Sequence, residues 1–294
     1  MTAWWVIVNP SAGRGRDLTG QVEAALNRRG ITFETHTSES PDAIPGLISD
    51  GRAAGYDRFA AVGGDGTANL VLNGLLVEPW EQPPTLGILP AGSGSDFVRT
   101  FAIPNDLEGG ADHLVGGEVY PVDVGLLEGS FGDRYFLNAA NAGIAARTVV
   151  DAGRLPDWMG SKRYLAGFWT ALARTRPDSV RVDSDGRAIS TVAWNVVIAN
   201  GQFFGGGMNV APRAATMDGL FDVQVFAGPR RIAPIVLRRV VRGTHLTHPA
   251  VRRTTGGSIT VDVPESWMIE ADGEIFGTGS FTARAIQGLL NFKI

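Results

Sequence analysis

Short apolar runs alternate with segments of helical apolar spacing over the first third of the chain. Trp4 to Val8, Ile31 to Thr37, Arg58 to Val62 and Thr85 to Pro90 read as strands; Leu18 to Arg29, Asp42 to Gly55 and Ala68 to Leu76 read as helices. Gly30 ends the first helix. Strict strand and helix alternation predicts a parallel, covered sheet. After about Pro121 the pattern changes. Val122 to Leu127, Arg134 to Asn138, Ser179 to Ser184, Thr191 to Ala199, Gly219 to Phe226, Ser258 to Val263 and Trp267 to Asp272 read as strands at short spacing. Helices are expected there only over Ser161 to Arg174 and Ile232 to Arg242. This second grammar predicts a β-sandwich. The fold class is therefore α/β plus β: a Rossmann-like parallel-sheet domain over residues 1–121 and a β-sandwich over 122–281.

Length agrees with this division, since 294 residues suggest about two domains and can bury a core. Cysteine is absent, which removes disulfides and thiolate metal sites. The start, Met1 to Pro10, lacks the basic region and long apolar stretch of a signal peptide, and no run reaches the length of a membrane span. A cytoplasmic protein is expected, at most peripheral to the inner face of a membrane. A net charge of −4 argues against a nucleic-acid partner bound by a basic surface.

Local charge changes that picture in one place. Between Gly228 and Thr254 lie seven arginines and no acid, and Ile232 to Arg242 joins arginines to apolar residues. Such a segment reads first as a solvated face, and second as a contact for anionic lipid. Only two of the 26 basic residues are lysines, Lys162 and Lys293, and neither lies in a glycine-rich loop. P-loop NTPases and protein kinases need such a lysine, so both classes are disfavoured.

Three glycine-rich turns follow the predicted parallel strands, where open sheets bind ligands. In Gly63-Gly64-Asp65-Gly66-Thr67 an acid stands between glycines directly before a helix, a natural anion cradle whose Asp65 could equally cap that helix. Asn9-Pro10-Ser11-Ala12-Gly13-Arg14-Gly15-Arg16 offers small residues, a hydroxyl and arginines. Ala91-Gly92-Ser93-Gly94-Ser95-Asp96 repeats the design, with Asp96 available as a helix cap.

The second half adds Asn200-Gly201-Gln202-Phe203-Phe204-Gly205-Gly206-Gly207 and an Asp218-Gly219 pair, which fits either a hairpin turn or an oxygen-only site for magnesium. Ile269 to Glu274 places acids at another possible turn, where Asp272 or Glu274 could take a proton from a hydroxyl. His245 and His248 have no nearby acid to complete a metal set and are expected on a solvated loop.

Taken in order, residues 9–16, 63–75, 86–99, 123–125, 136–146, 200–223 and 272–274 resemble the diacylglycerol kinase catalytic-domain family, which includes bacterial lipid kinases and the sphingosine and ceramide kinases. The resemblance implies an ATP-dependent lipid kinase, with diacylglycerol as the expected acceptor and phosphatidic acid as product. By the same resemblance Asn9, Pro10, Ser11, Ala12, Gly13, Thr37, Gly63, Gly64, Asp65, Gly66, Thr67, Ala68, Asn69 and Ser93 line the nucleotide. Asp65 works with catalytic Mg2+; Asp218 and the carbonyls of Ala215 and Leu220 match a structural Mg2+ site; Glu274 matches the general base, with Asp272 as its aid. The final segment, 282–294, would return to the first domain.

Two positions depart from the family pattern: Ser95 replaces an asparagine, and Ala215 replaces a side chain able to ligate. Two alternatives stand beside the lipid kinase. An NAD kinase-like phosphotransferase shares the GGDGT cradle, but its Asn-Glu pair is missing from the chain. A non-catalytic lipid- or nucleotide-binding protein would not need Asp65, Asp218 and Glu274. The expected partner is a lipid substrate at a membrane surface; the sequence leaves oligomeric state open, a homodimer included.

Overall fold

The computed structural model describes residues 3–13, 17–91, 94–160 and 162–294. They divide into two compact units, residues 1–122 with 287–294, and residues 123–286.

In the first unit β1 (Trp4–Val8), α1 (Leu18–Arg28), β2 (Phe33–Thr37), α2 (Ile44–Ala53), β3 (Arg58–Gly63), α3 (Asp65–Leu75) and β4 (Thr85–Pro90) alternate. The strands pair in parallel in the order β2-β1-β3-β4. Every residue of β1 and β4 is buried, as a sheet covered on both faces requires. Local chemistry sets the helix ends. The Asp17 carboxylate accepts the Gly20 N–H at 3.0 Å and starts α1, which buries Leu18, Val22, Ala25 and Leu26 at helical intervals. Gly30, at φ +65°, follows its end. On α2, Gly51 lets the helix approach the sheet: a Cβ there would stand 2.8 Å from Trp5 and 2.9 Å from Phe59. Two further helices follow β4: α4 (Phe97–Thr100) and α5 (Leu107–His113).

In the second unit the chain runs through β5 (Val119–Gly129), β6 (Gly132–Phe136), β7 (Ala139–Gly143), α6 (Ile144–Gly153), α7 (Lys162–Arg174), β8 (Asp178–Ser184), β9 (Arg187–Ala199), the short hairpin of β10 (Phe203–Phe204) and β11 (Met208–Asn209), β12 (Phe221–Ala227), α8 (Ala233–Val240), β13 (Val251–Gly256), β14 (Ser258–Asp262), β15 (Met268–Ala271), β16 (Glu274–Thr278) and β17 (Phe281–Lys293). Its strand pairs are antiparallel, with β9 joined to β7, β8 and β12. Alternation divides the side chains of β9. Val196 and Ile198 enter a sandwich core with Phe136, Val223 and Ile259, while Val197 and Ala199 enter a second core with Phe226 of β12 and with Ile144 and Val236 of the covering helices α6 and α8. The end of β17 belongs to the first unit, where Asn291 and Phe292 add in parallel to β4.

Several elements lie outside the sequence expectation: α5, β7, α6, β13, β16 and the full length of β17. Among the described residues, no helix is long and apolar enough to cross a membrane.

Candidate active site

The three glycine-rich turns of the first unit are cross-tied. Asn9, after β1, donates from Nδ2 to Thr67 Oγ1 at 3.0 Å, and its Oδ1 accepts the Ser11 N–H at 3.0 Å. The Ser11 to Gly13 turn is thereby fixed against the first turn of α3. Thr67, Ala68 and Asn69 are buried, whereas Gly64, Asp65 and Gly66 remain partly accessible. The N–H groups of this first turn lack intrahelical acceptors and carry the positive end of the helix dipole.

Asp65 has the most instructive geometry. Its carboxylate accepts the Asp96 N–H at 2.8 and 3.0 Å and the Phe97 N–H at 3.2 Å, while its own N–H donates to Gly94 O at 2.9 Å. It thus starts α4 from a separate loop, and Asp96, the expected cap, makes no capping bond and instead pairs with Arg99 at 3.3 Å. Ser95, in place of the family's asparagine, is buried and donates to Gly63 O at 3.1 Å. The turns after β3 and β4 are so close that a Cβ on Gly64 would lie 2.5 Å from Gly94 O. An acid expected to work with magnesium is therefore, in this structure, a brace between two turns. Both its oxygens are directed at backbone amides.

Thr37 ends β2, with its hydroxyl 3.2 Å from that of Thr19. Pro10, Ser11, Ala12 and Gly13 form a 3-10 turn. Ser93, together with Gly92 and Arg14 to Arg16, lies outside the described residues.

The second unit holds the other candidates. Asp272 is buried in the left-handed region, at φ +50°, and its carboxylate accepts the N–H groups of Leu137 at 2.7 Å, Asn138 at 2.9 Å and Ala139 at 3.1 Å. Such a carboxylate is an acceptor already in use, so the expected aid to proton transfer becomes a structural holder of the start of β7. Glu270, which the sequence did not single out, lies beneath the same turn. It accepts Gly273 N–H at 2.6 Å and Asn141 Nδ2 at 2.8 Å, and burial pushes its carboxyl up to about 7 against these bonds. Glu274 stands at the start of β16 and is exposed, yet partial desolvation raises its carboxyl. It accepts no hydrogen bond from the described residues. Of the three acids, Glu274 is the one open to a substrate hydroxyl.

Asp218 is exposed, and its Oδ1 accepts the Leu220 N–H at 3.0 Å. The loop is fixed by buried Asp123, which accepts Gly219 N–H at 2.6 Å and donates its own N–H to Thr216 O at 2.7 Å. Among the described residues no three His, Cys, Asp or Glu side chains cluster for a metal. A donor set of one carboxylate and the Ala215 and Leu220 carbonyls is all oxygen, which suits a hard cation. Gly205, Gly206 and Gly207 all have positive φ, at 69°, 88° and 90°, which explains their run in the sequence. His245 corrects an expectation. It is fully buried, with Nε2 2.9 Å from both Val210 O and Gln224 Oε1, because its ring stacks on Phe226 inside the helix-covered core.

Comparison with known proteins finds a match for each part of the chain. Residues 3–127 match the diacylglycerol kinase catalytic domain, and residues 138–293 match the YegS C-terminal NAD kinase beta sandwich-like domain. The chain is 28% identical over 277 residues to a diacylglycerol kinase of Bacillus subtilis (strain 168), covering 92% of this chain and 89% of that one. It is 26% identical to a diacylglycerol kinase of Staphylococcus aureus (strain MRSA252), at 92% and 86% coverage. A Bacillus anthracis str. Sterne protein of solved structure superposes with a TM-score of 0.80 at 23% identity, covering 99% of this chain and 97% of the other, and shares the fold. With the N-terminal domain, the sandwich and the order of motifs all matched along nearly its whole length, the chain belongs to the diacylglycerol kinase catalytic-domain family.

Proposed function

We propose that the protein is an ATP-dependent lipid kinase, transferring the γ-phosphoryl group to the hydroxyl of diacylglycerol to give phosphatidic acid. The observation that carries this reading is the Asp65 brace, which locks two glycine-rich turns together at the N-terminus of α3. Without a lysine in these turns, backbone N–H groups and the helix dipole supply the positive potential for phosphates. Asn9 to Gly13 and Gly63 to Asn69 would line them, with Thr37 nearby on the nucleotide. Ser93 is carried as a further nucleotide contact from the family resemblance alone.

In the second unit, Glu274 would accept the proton that leaves the acceptor oxygen as that oxygen bonds to phosphorus and the bond to ADP breaks. Partial desolvation raises its carboxyl, which makes it a better base than an ordinary glutamate. Asp218 with the carbonyls of Ala215 and Leu220 would hold Mg2+, which when bound offsets negative charge on transferring phosphates. The names of the relatives from Bacillus subtilis and Staphylococcus aureus support diacylglycerol as acceptor. A lipid acceptor implies work at a membrane surface, from the cytoplasmic side where ATP is available.

The test is γ-labelled ATP with a panel of diacylglycerol, sphingosine, ceramide and phosphatidylglycerol. Transfer to diacylglycerol above the others is expected. No transfer to any of them by folded protein overturns the kinase reading.

A further inference from the structure

Three carboxylates share the short stretch from Glu270 to Glu274, and the fold gives each a different setting. Strand β15 ends at Ala271 and β16 begins at Glu274, so Asp272 and Gly273 form a two-residue hairpin turn. Both have positive φ, at 50° and 91°, the pattern of a type I′ turn. Glu274 stands opposite Ala271 in the register and is the first residue to leave that turn. The direction of its carboxylate therefore depends on how the turn is held.

The turn is held from two sides, and both holds reach the same stretch of chain. On one side Asp272 accepts the N–H groups of Leu137, Asn138 and Ala139, and its own N–H donates to Ala139 O at 3.1 Å. On the other, Glu270 reaches forward three residues to accept Gly273 N–H at 2.6 Å with Oε1, and accepts Asn141 Nδ2 of β7 at 2.8 Å with Oε2. Glu270 and Asn141 are direct partners in the register of β15 with β7. Their neighbours Ile269, Ala271, Ala140 and Ala142 enter the sandwich core, so alternation puts Glu270 and Asn141 on the other face, against which α6 packs. The register of β15 with β16 shifts between Ile269 and Glu270, an irregularity of the kind that re-aims side chains beside functional sites.

These surroundings make the charge on Glu270 sensitive to pH. Its side chain is buried, β7 carries no charged residue, and β16 offers only Glu274. The charged residues of α6 are Arg147 and Asp151, which pair at 3.6 Å, and Asp151 also meets Arg174 of α7 at 3.2 Å. Among the described residues no cation forms an ion pair with Glu270. Burial, and then the like charges of Asp272 and Glu274, raise its carboxyl to about 7 against its two hydrogen bonds.

We propose that Glu270, when ionised, is a positioning residue for Glu274, holding the turn that presents this base to the acceptor hydroxyl. The inference rests on the lipid kinase reading for the acceptor; its contact rests on the turn itself. An ionised carboxylate binds an amide N–H roughly twice as strongly as a neutral group does, so loss of the proton tightens the hold on Gly273. The same charge, beside Glu274, strengthens that residue's affinity for a proton. Protonation of Glu270 loosens the turn and removes the charge. Activity should therefore rise as pH passes through about 7, although stability falls between about 4.5 and about 7, because ionisation strengthens one bond at the cost of a buried charge.

The experiment compares phosphoryl transfer to diacylglycerol by wild type and Glu270→Gln across pH. At about pH 8 the variant should be about tenfold slower in kcat with KM for ATP unchanged; at about pH 6, where Glu270 is mostly neutral in wild type too, the two should agree within about twofold. A merely structural defect would slow the variant equally at both. Asn141→Ala removes a donor that favours the ionised form and should move the rise in activity to higher pH. A Glu270→Gln variant that matches wild type at both values, or is slowed by one factor at both, overturns the proposal; so does an Asn141→Ala variant whose rise stays in place. The contact is also readable without turnover. In NMR titration the Gly273 amide proton should move with a midpoint of about 7 in wild type and stay fixed in Glu270→Gln. A Gly273 signal that stays fixed in wild type overturns the role of Glu270 even where transfer is seen. Movement of that signal without transfer to any acceptor overturns the kinase reading, while the hold of Glu270 on the turn stands.

Discussion

One aspartate in each unit performs the same physical task in a different setting. Asp65 accepts the N–H groups of Asp96 and Phe97, and Asp272 accepts those of Leu137, Asn138 and Ala139. Both carboxylates lie next to glycines and resemble catalytic acids in the sequence. Asp65 is partly accessible at a helix N-terminus and ties one anion-binding turn to another. Asp272 is buried, adopts a left-handed backbone and holds the start of a sheet strand. The difference teaches that an acid's position in a motif does not fix its role; the direction of its lone pairs does. Glu274, two residues from Asp272, has the open carboxylate.

That comparison breaks first at Glu274. Glu274→Ala should lower phosphoryl transfer about 100-fold to 10,000-fold while nucleotide affinity and melting temperature hold. Unchanged turnover would return the proton-accepting role to another group. Asp272→Ala should act on stability instead, lowering it by about 3 kcal/mol or more in denaturant titration, since it leaves three amides without their acceptor. Asp65→Ala should cost less stability, because its site is partly accessible, but should weaken nucleotide binding measured by calorimetry. If Asp65→Ala binds nucleotide normally and only turnover is lost, the brace is secondary and a metal-linked role regains the residue.

Glu270 sharpens the contrast through pH. Its carboxyl is raised to about 7 by burial, so the folded protein holds a proton that the unfolded chain releases above its ordinary value of 4.5. Stability should therefore fall as pH rises from about 4.5 to about 7 and level off above, by up to about 3 kcal/mol in all. Glu270→Gln keeps an acceptor for Gly273 N–H and should flatten that part of the melting-temperature profile. An unchanged slope in the variant would show that another group carries it. The smallest effect is expected at Ser95, where Ser95→Ala removes one hydrogen bond to Gly63 O and should cost about 1 kcal/mol with a modest loss of nucleotide affinity.

The parallel sheet of the first unit is legible because its signal is local: Trp4 to Val8 and Thr85 to Pro90 are apolar runs, and α1 and α3 repeat apolar residues at helical spacing. Helix α6 hides behind polar residues. Its buried face includes Thr148 and Asp151, which look solvent-facing until Thr148 is seen bonded to Ile144 O at 2.8 Å and Asp151 beneath its arginines. Strand β7 reads Ala-Ala-Asn-Ala-Gly, with no branched or aromatic side chain to announce it; it forms between β9 and β15, where small buried residues fit. His245 is hidden for the same reason, since Gln224 and Val210, which satisfy its ring, are 21 and 35 residues away.

By itself, then, the sequence determined the two structural grammars, the positions where glycine allows close backbone approach, and the set of acids among which the chemistry must be sought. Periodicity and turn chemistry act over a few residues, so they survive in one dimension. Tertiary structure alone decided which acids are braces and which is open, because the amides that claim Asp65 lie 31 and 32 residues away and those that claim Asp272 lie 133 to 135 away. A carboxylate's hydrogen-bond partners and its desolvation are set by chain segments brought together in folding, and no local pattern records them.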